Sequence, residues 1–348
     1  MYRIGVMPGD GVGPETVDAA LHVLTAVQAL DGFECETVHY PHSGRHYRAT
    51  GEFISAATLE EIRGLDALFF GAMGDPDLPE GTMERGLLFA LFEGLDLSVG
   101  VRPGRLYHES LSPLKGRGVG DIDVVIVRDV SEDAFVAPGG LVRPDTAQEV
   151  AIGLLVYTRP TVERVLRYAY ALAQTRRRKL GLVTQANVVQ AHSIWTRTAQ
   201  ALSPEFPDVE LREFYADAAA MALVTEPDEL DVLVTTFWIG GILTDVLGGV
   251  VGGIGLIGDS RLNPDRHLGM FQSAHGSAPK HTGKNVVSPI ASINALVLML
   301  RHLGEMGSAD RVETAIERAF TSGRIPHANT RGSIGTREAT DAVLAELG

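Results

Sequence analysis

Residues 7–15 read MPGDGVGPE. They follow a short apolar strand, residues 3–7, and open a helical pattern over residues 16–30. A dinucleotide-binding βαβ unit begins the same way, with G-x-G-x-x-G in the loop and an acid at the end of the second strand. Here Gly9, Gly11 and Gly13 fall on alternate positions, and Pro14 stands where the helix begins. The next strand, residues 34–40, ends in Tyr40-Pro41 rather than in an acid. A standard Rossmann unit is therefore not the reading of this loop.

Outward from it, apolar runs alternate with helical patterns along the whole chain. Residues 67–73, 121–130, 179–185 and 230–236 read as strands. Residues 58–65, 86–95, 161–174, 290–301, 311–321 and 336–347 read as helices, and residues 248–258 form a glycine-rich run. That alternation is the pattern of an α/β protein. The 348 residues allow two domains with ample core. A net charge of −14 argues against a nucleic-acid partner. The one basic run, residues 176–179, reads as the cationic end of the 161–174 helix. Cys35 is the single cysteine, so no intrachain disulfide is possible. No signal-peptide core is visible and the longest apolar run, residues 296–300, is too short to cross a membrane. A cytoplasmic protein is expected.

A second loop, residues 274–289, reads AHGSAPKHTGKNVVSP. Small residues let backbone N–H groups approach a nucleotide closely. Lys280 and His281 add positive or potentially positive groups.

These loops belong to an ordered set of segments: MPGDGVGPE, GAMGDP, DLSVGVRP, LSPLKG, DIDVVIVRD, APGG, ANVV, DAAAM, GILTD, AHGSAPKHTGKN and GTREATDAV. In order and spacing the set resembles the metal-dependent β-decarboxylating dehydrogenases, which include isopropylmalate, isocitrate, homoisocitrate and tartrate/D-malate dehydrogenases. LNPDR, residues 262–266, is most like the tartrate/D-malate branch. The resemblance implies an isopropylmalate-dehydrogenase-like two-domain α/β fold. Residues 1–100 plus 250–348 would form the nucleotide-side domain. Residues 101–249 would form the dimerisation and catalytic domain, with the active cleft between the two. It also implies a homodimer whose sites are completed by the neighbouring subunit.

The resemblance further implies roles for particular residues. His275, Gly276, Ser277 and Ala278 form the adenosine loop, and Ser288 stands where the family has an adenine-contacting Asn. Lys280, with His281, replaces the acid that NAD-specific relatives use on the ribose, which favours NADP over NAD; Arg331 is a further candidate cation. Asn187 is the nicotinamide-side residue. Arg102 and Arg128 match carboxylate-binding arginines, which grip as bidentate forks. A third arginine is missing from the 86–95 helix, where Leu87, Leu88, Leu91 and Phe92 stand instead. A more apolar pocket and a less anionic substrate are expected, with Leu88 as the substrate-side candidate.

The same comparison finds the catalytic positions altered. Of three metal-binding aspartates, Asp217 and Asp245 are kept and the middle one is Gly241, so Mg²⁺ or Mn²⁺ binding would be weakened. The family's essential lysine is Gln185 and its tyrosine is Phe135. Neither can exchange a proton usefully at neutral pH. Asp129, Glu132, Asp133 and His192 are candidate replacements. The expectation is an NADP-preferring oxidoreductase acting on a small hydroxy (or keto) acid, with atypical and non-decarboxylating chemistry. The alternatives are a degenerate regulatory subunit, or a non-redox lyase on the same fold.

Overall fold

The computed structural model describes residues 1–326 and 334–348. Arg331 therefore lies outside the described residues. The strands are β1 (Tyr2–Met7), β2 (Cys35–His39), β3 (Ala67–Phe70), β4 (Val99–Arg105), β5 (Asp123–Asp129), β6 (Gly139–Val142), β7 (Val150–Gly153), β8 (Lys179–Thr184), β9 (Glu210–Tyr215), β10 (Val232–Thr235), β11 (Gly258–Asn263) and β12 (Leu268–Ser273). The helices are α1 (Gly13–Asp31), α2 (Gly44–Thr50), α3 (Ala56–Arg63), α4 (Phe89–Gly94), α5 (Arg159–Gln174), α6 (Ser193–Leu202), α7 (Ala216–Thr225), α8 (Phe237–Val251), α9 (Ile290–His302), α10 (Met306–Thr321) and α11 (Thr336–Leu344).

The chain divides into two compact units. The first comprises Met1–Leu97, Arg102–Asp123 and Leu247–Gly348. Its strands run in the order β2-β1-β3-β12-β11. β1 is parallel to β2 and β3, β3 is parallel to β12, and β11 and β12 form an antiparallel hairpin. α9 lies on this hairpin and is buried over most of its length, from Ile290 to Leu300. That is why its sequence is apolar on nearly every side rather than striped. The second unit comprises Ser98–Val101 and Val124–Val246. Its strands β5-β10-β8-β9 are all parallel. α5 covers them with Val162, Val165, Leu166 and Ala169, the apolar face read from the sequence. A separate antiparallel hairpin, β6–β7, is exposed along its whole length.

The glycines of the 7–15 loop now have their explanation. Gly11 has φ +58, and a Cβ there would lie 2.1 Å from the carbonyl oxygen of Ser277. Val12 donates its N–H to that same oxygen at 2.9 Å. The first glycine loop is thus a backbone seat for the 274–289 loop, and only a residue without a side chain fits it.

Several local expectations differ from the structure. The helix read over residues 86–95 begins as a π-helical turn, Glu84–Leu88, before α4. The ring of Phe53 occupies the place a Cβ of Gly86 would need, 2.2 Å from its nearest atom. The basic run does not cap α5, which ends at Gln174. Arg176 and Arg177 turn instead to the buried carboxylate of Asp231, with Arg176 Nε at 2.7 Å from Oδ1. The glycine-rich run is helical as far as Val251, and the break comes at Gly252 and Gly253, both at positive φ.

Candidate active site

The first unit holds a cavity of about 1080 Å³ against the 274–289 loop. Its walls include Gly253, Ile254 and Gly255 on one side and His275, Gly276, Ala278, His281, Lys284 and Ser288 on the other. A Cβ at Gly276 would meet nothing within 4 Å, so the backbone there is bare toward open space. Ala278 takes the left-handed conformation at φ +40 and starts a 3₁₀ turn, Pro279–His281. That turn puts His281 on the cavity wall and leaves Lys280 exposed outside the lining. Ser277 is also outside it; its buried backbone carries the first glycine loop instead. Lys284 is the lysine on the cavity wall, beside His281 from the expected pair Lys280 and His281. Burial lowers the His275 imidazole, which keeps it neutral beside the cavity. Glycines, a bare backbone and two basic side chains are a fitting donor set for a nucleotide.

The second feature of this unit is a buried ion cluster. Asp259 Oδ2 accepts from Arg102 Nη2 at 2.9 Å, Arg261 Nη2 at 3.0 Å and Gln272 Nε2 at 3.0 Å. Asp259 is fully buried, and Arg102 and Arg261 nearly so. The Arg261 guanidinium lies over the ring of Phe92, 4.3 Å from its centroid. Burial pulls this guanidinium down to about 10, against the opposing pull of Asp259. It remains charged at neutral pH. Phe92, Leu87 and Leu91 are core residues, and Leu88 is only half-buried. Arg102 therefore already grips a carboxylate, and it is the chain's own. Neither Asp259 nor Arg261 was found from the sequence, because β11 reads GDSRLN and shows no strand signal.

In the second unit, Arg128 is buried at the end of β5 with its guanidinium 5.0 Å from the ring centroid of Phe237. Asp129 beside it is fully buried and pushed up to about 7, chiefly by burial. Its Oδ1 accepts from the backbone and hydroxyl of Ser131, at 2.8 and 2.9 Å. Glu132 accepts from the backbone and hydroxyl of Thr158, just ahead of α5. Asp133 is buried at φ +77, and its Oδ2 accepts from the backbone N–H of Trp238 in the first turn of α8. Phe135 is half exposed and packs edge-on against Phe237 at 4.8 Å.

Gln185 follows β8, and its Oε1 accepts from the N–H of Ala216 at the start of α7. Its own N–H is donated to Nδ1 of His192 at 2.9 Å. The other ring nitrogen of His192 is 3.1 Å from the hydroxyl of Tyr157, a residue the sequence reading passed over. Asn187 is exposed in the loop after β8.

Asp217 is exposed in the first turn of α7, where its Oδ1 accepts from the N–H of Ala218. Asp245 is exposed on α8, one turn beyond Gly241. A Cβ at Gly241 would lie 3.5 Å from Nη1 of Arg128. No group of three or more His, Cys, Asp or Glu side chains placed to hold a metal occurs among the described residues. Asp217 and Asp245 leave this chain two carboxylates to offer a hard, oxygen-seeking cation.

Comparison with known proteins completes the description. A family model described as isocitrate/isopropylmalate dehydrogenase matches residues 3–343. A 3-isopropylmalate dehydrogenase of Rhodococcus opacus is 42% identical over 349 aligned positions, covering 99% of this chain and 100% of that protein. One from Corynebacterium jeikeium is 40% identical, with 99% of each chain covered. Among solved structures, an isocitrate dehydrogenase from Methylococcus capsulatus superposes with a TM-score of 0.89 at 29% identity, covering 100% of this chain and 99% of that one.

Proposed function

The chain belongs to the isocitrate/isopropylmalate dehydrogenase family, and from that membership we propose that it is a dinucleotide-dependent dehydrogenase of a small hydroxy (or keto) acid of low charge. The observation that carries the cofactor half of this reading is the cavity against residues 274–289. His275, Gly276, Ala278 and Ser288 would hold the adenosine part, and His281 and Lys284 support a 2′-phosphate there, hence NADP ahead of NAD. When bound, the dinucleotide supplies the hydride-exchanging group. Asn187 is the nicotinamide-side candidate.

The substrate half rests on Asp259. An arginine that already gives its Nη2 to an internal carboxylate has one donor fewer for an external one. That supports a substrate with fewer carboxylates, for which Arg128 is the remaining candidate grip. Asp217 and Asp245 are the residues of this chain that would hold Mg²⁺ or Mn²⁺, one carboxylate short of the family's three. With Gln185 and Phe135 at the family's lysine and tyrosine positions, the reading is of an oxidation without decarboxylation. A second reading is favoured by the names of the relatives, which make 3-isopropylmalate the substrate. LNPDR supports the tartrate/D-malate branch only weakly, since Asn263 serves the β11–β12 turn by accepting from Asp265 and Arg266.

Self-association into a homodimer is part of the same proposal. Leu141, Val142, Val150 and Ile152 on the β6–β7 hairpin are exposed, as are Met221 and Val224 on α7 and Trp238 and Ile242 on α8. A lone two-stranded hairpin is marginal in water, and apolar patches of this kind mark interfaces.

The test is a panel of hydroxy acids graded from one to three carboxylates, assayed with NADP and NAD for reduced nicotinamide and for CO₂. Oxidation of monocarboxylates without CO₂ is expected. Oxidation of 3-isopropylmalate with equal CO₂ would replace this reading by the second.

A further inference from the structure

Helix α11 begins without a cap of its own. Its N-cap residue is Gly335, which has no side chain to offer the free N–H groups of the first turn. The cap comes instead from the 274–289 loop. Asn285 Oδ1 accepts the backbone N–H of Arg337 at 2.9 Å, and Asn285 Nδ2 donates to Glu338 Oε2 at 2.9 Å. In an ordinary capping box both halves lie in one stretch of chain; here Asn285 and Arg337 are 52 residues apart. A Cβ at Gly335 would run into Asn285 Nδ2 and Glu338 Oε2, so the glycine leaves room for the borrowed cap. Asn285 itself sits at φ +55, a conformation that asparagine tolerates better than most residues.

Thr336, buried in the first turn of α11, adds a second tie. Its hydroxyl donates to the carbonyl oxygen of Val287 at 2.7 Å and accepts the N–H of the same residue at 3.2 Å. The residues tied down belong to the cavity wall. Lys284, Val286, Val287 and Ser288 line the cavity, and Asn285 lies among them. The other end of the loop is seated on the first glycine loop through Ser277. α11 in turn packs on α1 and α10, burying Ala339, Thr340, Ala342 and Val343. Phe320 of α10 reaches the cavity as well.

We propose that Asn285 and Thr336 are positioning residues of the nucleotide cavity, and that through them the affinity of the cavity and the stability of α11 depend on each other. This rests on the nucleotide reading above. A ligand that holds residues 284–288 in place also holds the cap of α11. By linkage, a capped α11 holds the wall for the ligand. Each of the two residues acts through the wall it fixes.

The experiment follows hydrogen exchange of the α11 amides in the unaltered protein, with and without saturating NADPH. α3, which carries no cavity residue, is the reference. Fluorescence titrations with NADPH accompany it on Asn285→Gly, Thr336→Val and Thr336→Ser. The first removes the cap and keeps the left-handed backbone, the second removes the hydroxyl, and the third keeps it. NADPH should slow exchange in α11 of the unaltered protein by about tenfold, and more than in α3. Asn285→Gly and Thr336→Val should raise Kd about five- to tenfold, the size of an ordinary coupling between sites, and lose most of the slowing. Thr336→Ser should stay close to the parent. A role confined to stability would loosen α11 equally with and without NADPH and leave Kd unchanged. If NADPH binds the unaltered protein and slows α11 no more than α3, the inference is overturned and the nucleotide reading stands; this arm decides even where a variant fails to fold. Binding of NADPH by Asn285→Gly and Thr336→Val as tightly as by the parent overturns it too. If the unaltered protein binds no NADPH, both fall together.

Discussion

Replacing Asp259 by Asn tests the arginine cluster directly. The substitution keeps the size of the side chain and removes one negative charge from a fully buried position. Two guanidinium groups, at 2.9 and 3.0 Å from the lost carboxylate oxygen, would then face each other with their shared counter-charge gone. Removing one member of a buried charged pair costs about 3–5 kcal/mol, most of it the penalty of the charge left behind. For a domain of this size that corresponds to a fall in Tm on the order of 10 °C. The assay is thermal unfolding at low salt, with and without added formate or malonate. The variant should melt lower than the parent and recover part of the loss as the added carboxylate pairs with the guanidinium groups that Asp259 had held, while the parent shows little response. A double variant, Asp259→Asn with Arg261→Met, should regain more than half, because only one buried charge remains. A loss below about 1 kcal/mol, or an equal carboxylate response in parent and variant, would refute the claim that Asp259 occupies Arg102, since a structural pair removed from the interior cannot be that cheap.

Other expectations can be checked on the same protein. Asp129→Asn should stabilise the fold at pH 8 by a few kcal/mol and leave it unchanged below pH 4. The reason is that Asp129 ionises near 7 in the fold, against about 4 in the unfolded chain, so stability falls as pH rises through that window; chemical denaturation at several pH values reads the slope. Gly11→Ala should cost at least about 2 kcal/mol and weaken nucleotide binding, because the new Cβ would lie 2.1 Å from the Ser277 oxygen at a positive φ. Gly241→Asp should raise Mn²⁺ affinity at least tenfold by calorimetry, since it adds a carboxylate one helical turn from Asp245; no gain would mean that the new carboxylate pairs with Arg128 instead.

The fold was legible along the longest two-sidedly buried apolar runs, though β4 and β12, also buried, were not read as strands. Residues 67–73, 121–130 and 230–236 are apolar runs because their strands lie inside parallel sheets, and each was read as a strand. β11 was missed because its buried face carries Asp259 and Arg261, which look like surface residues until their mutual pairing is seen. β6 and β7 were missed because no residue of either is buried. The site was legible in part. Residues 274–289 were read as a nucleotide loop with positive groups at Lys280 and His281; of these His281 lines the cavity there and Lys280 does not. Which side chains reach the wall depends on the left-handed Ala278 and the 3₁₀ turn after it, and that backbone detail has no signature in the letters. Asp133 and His192 were picked out singly as replacement groups. The residue between them, Tyr157, is distant from both in sequence, and only the tertiary fold joins the three.

The most direct measurement of the central claim is a fluorescence titration of the purified protein with NADPH and NADH, with and without Mg²⁺. Saturable binding of NADPH, tighter than NADH and indifferent to Mg²⁺, is the expected result, with His281→Ala and Lys284→Ala each narrowing the gap between the two. Absence of binding by either dinucleotide would contradict the account, and the family fold would then serve chemistry without a nicotinamide.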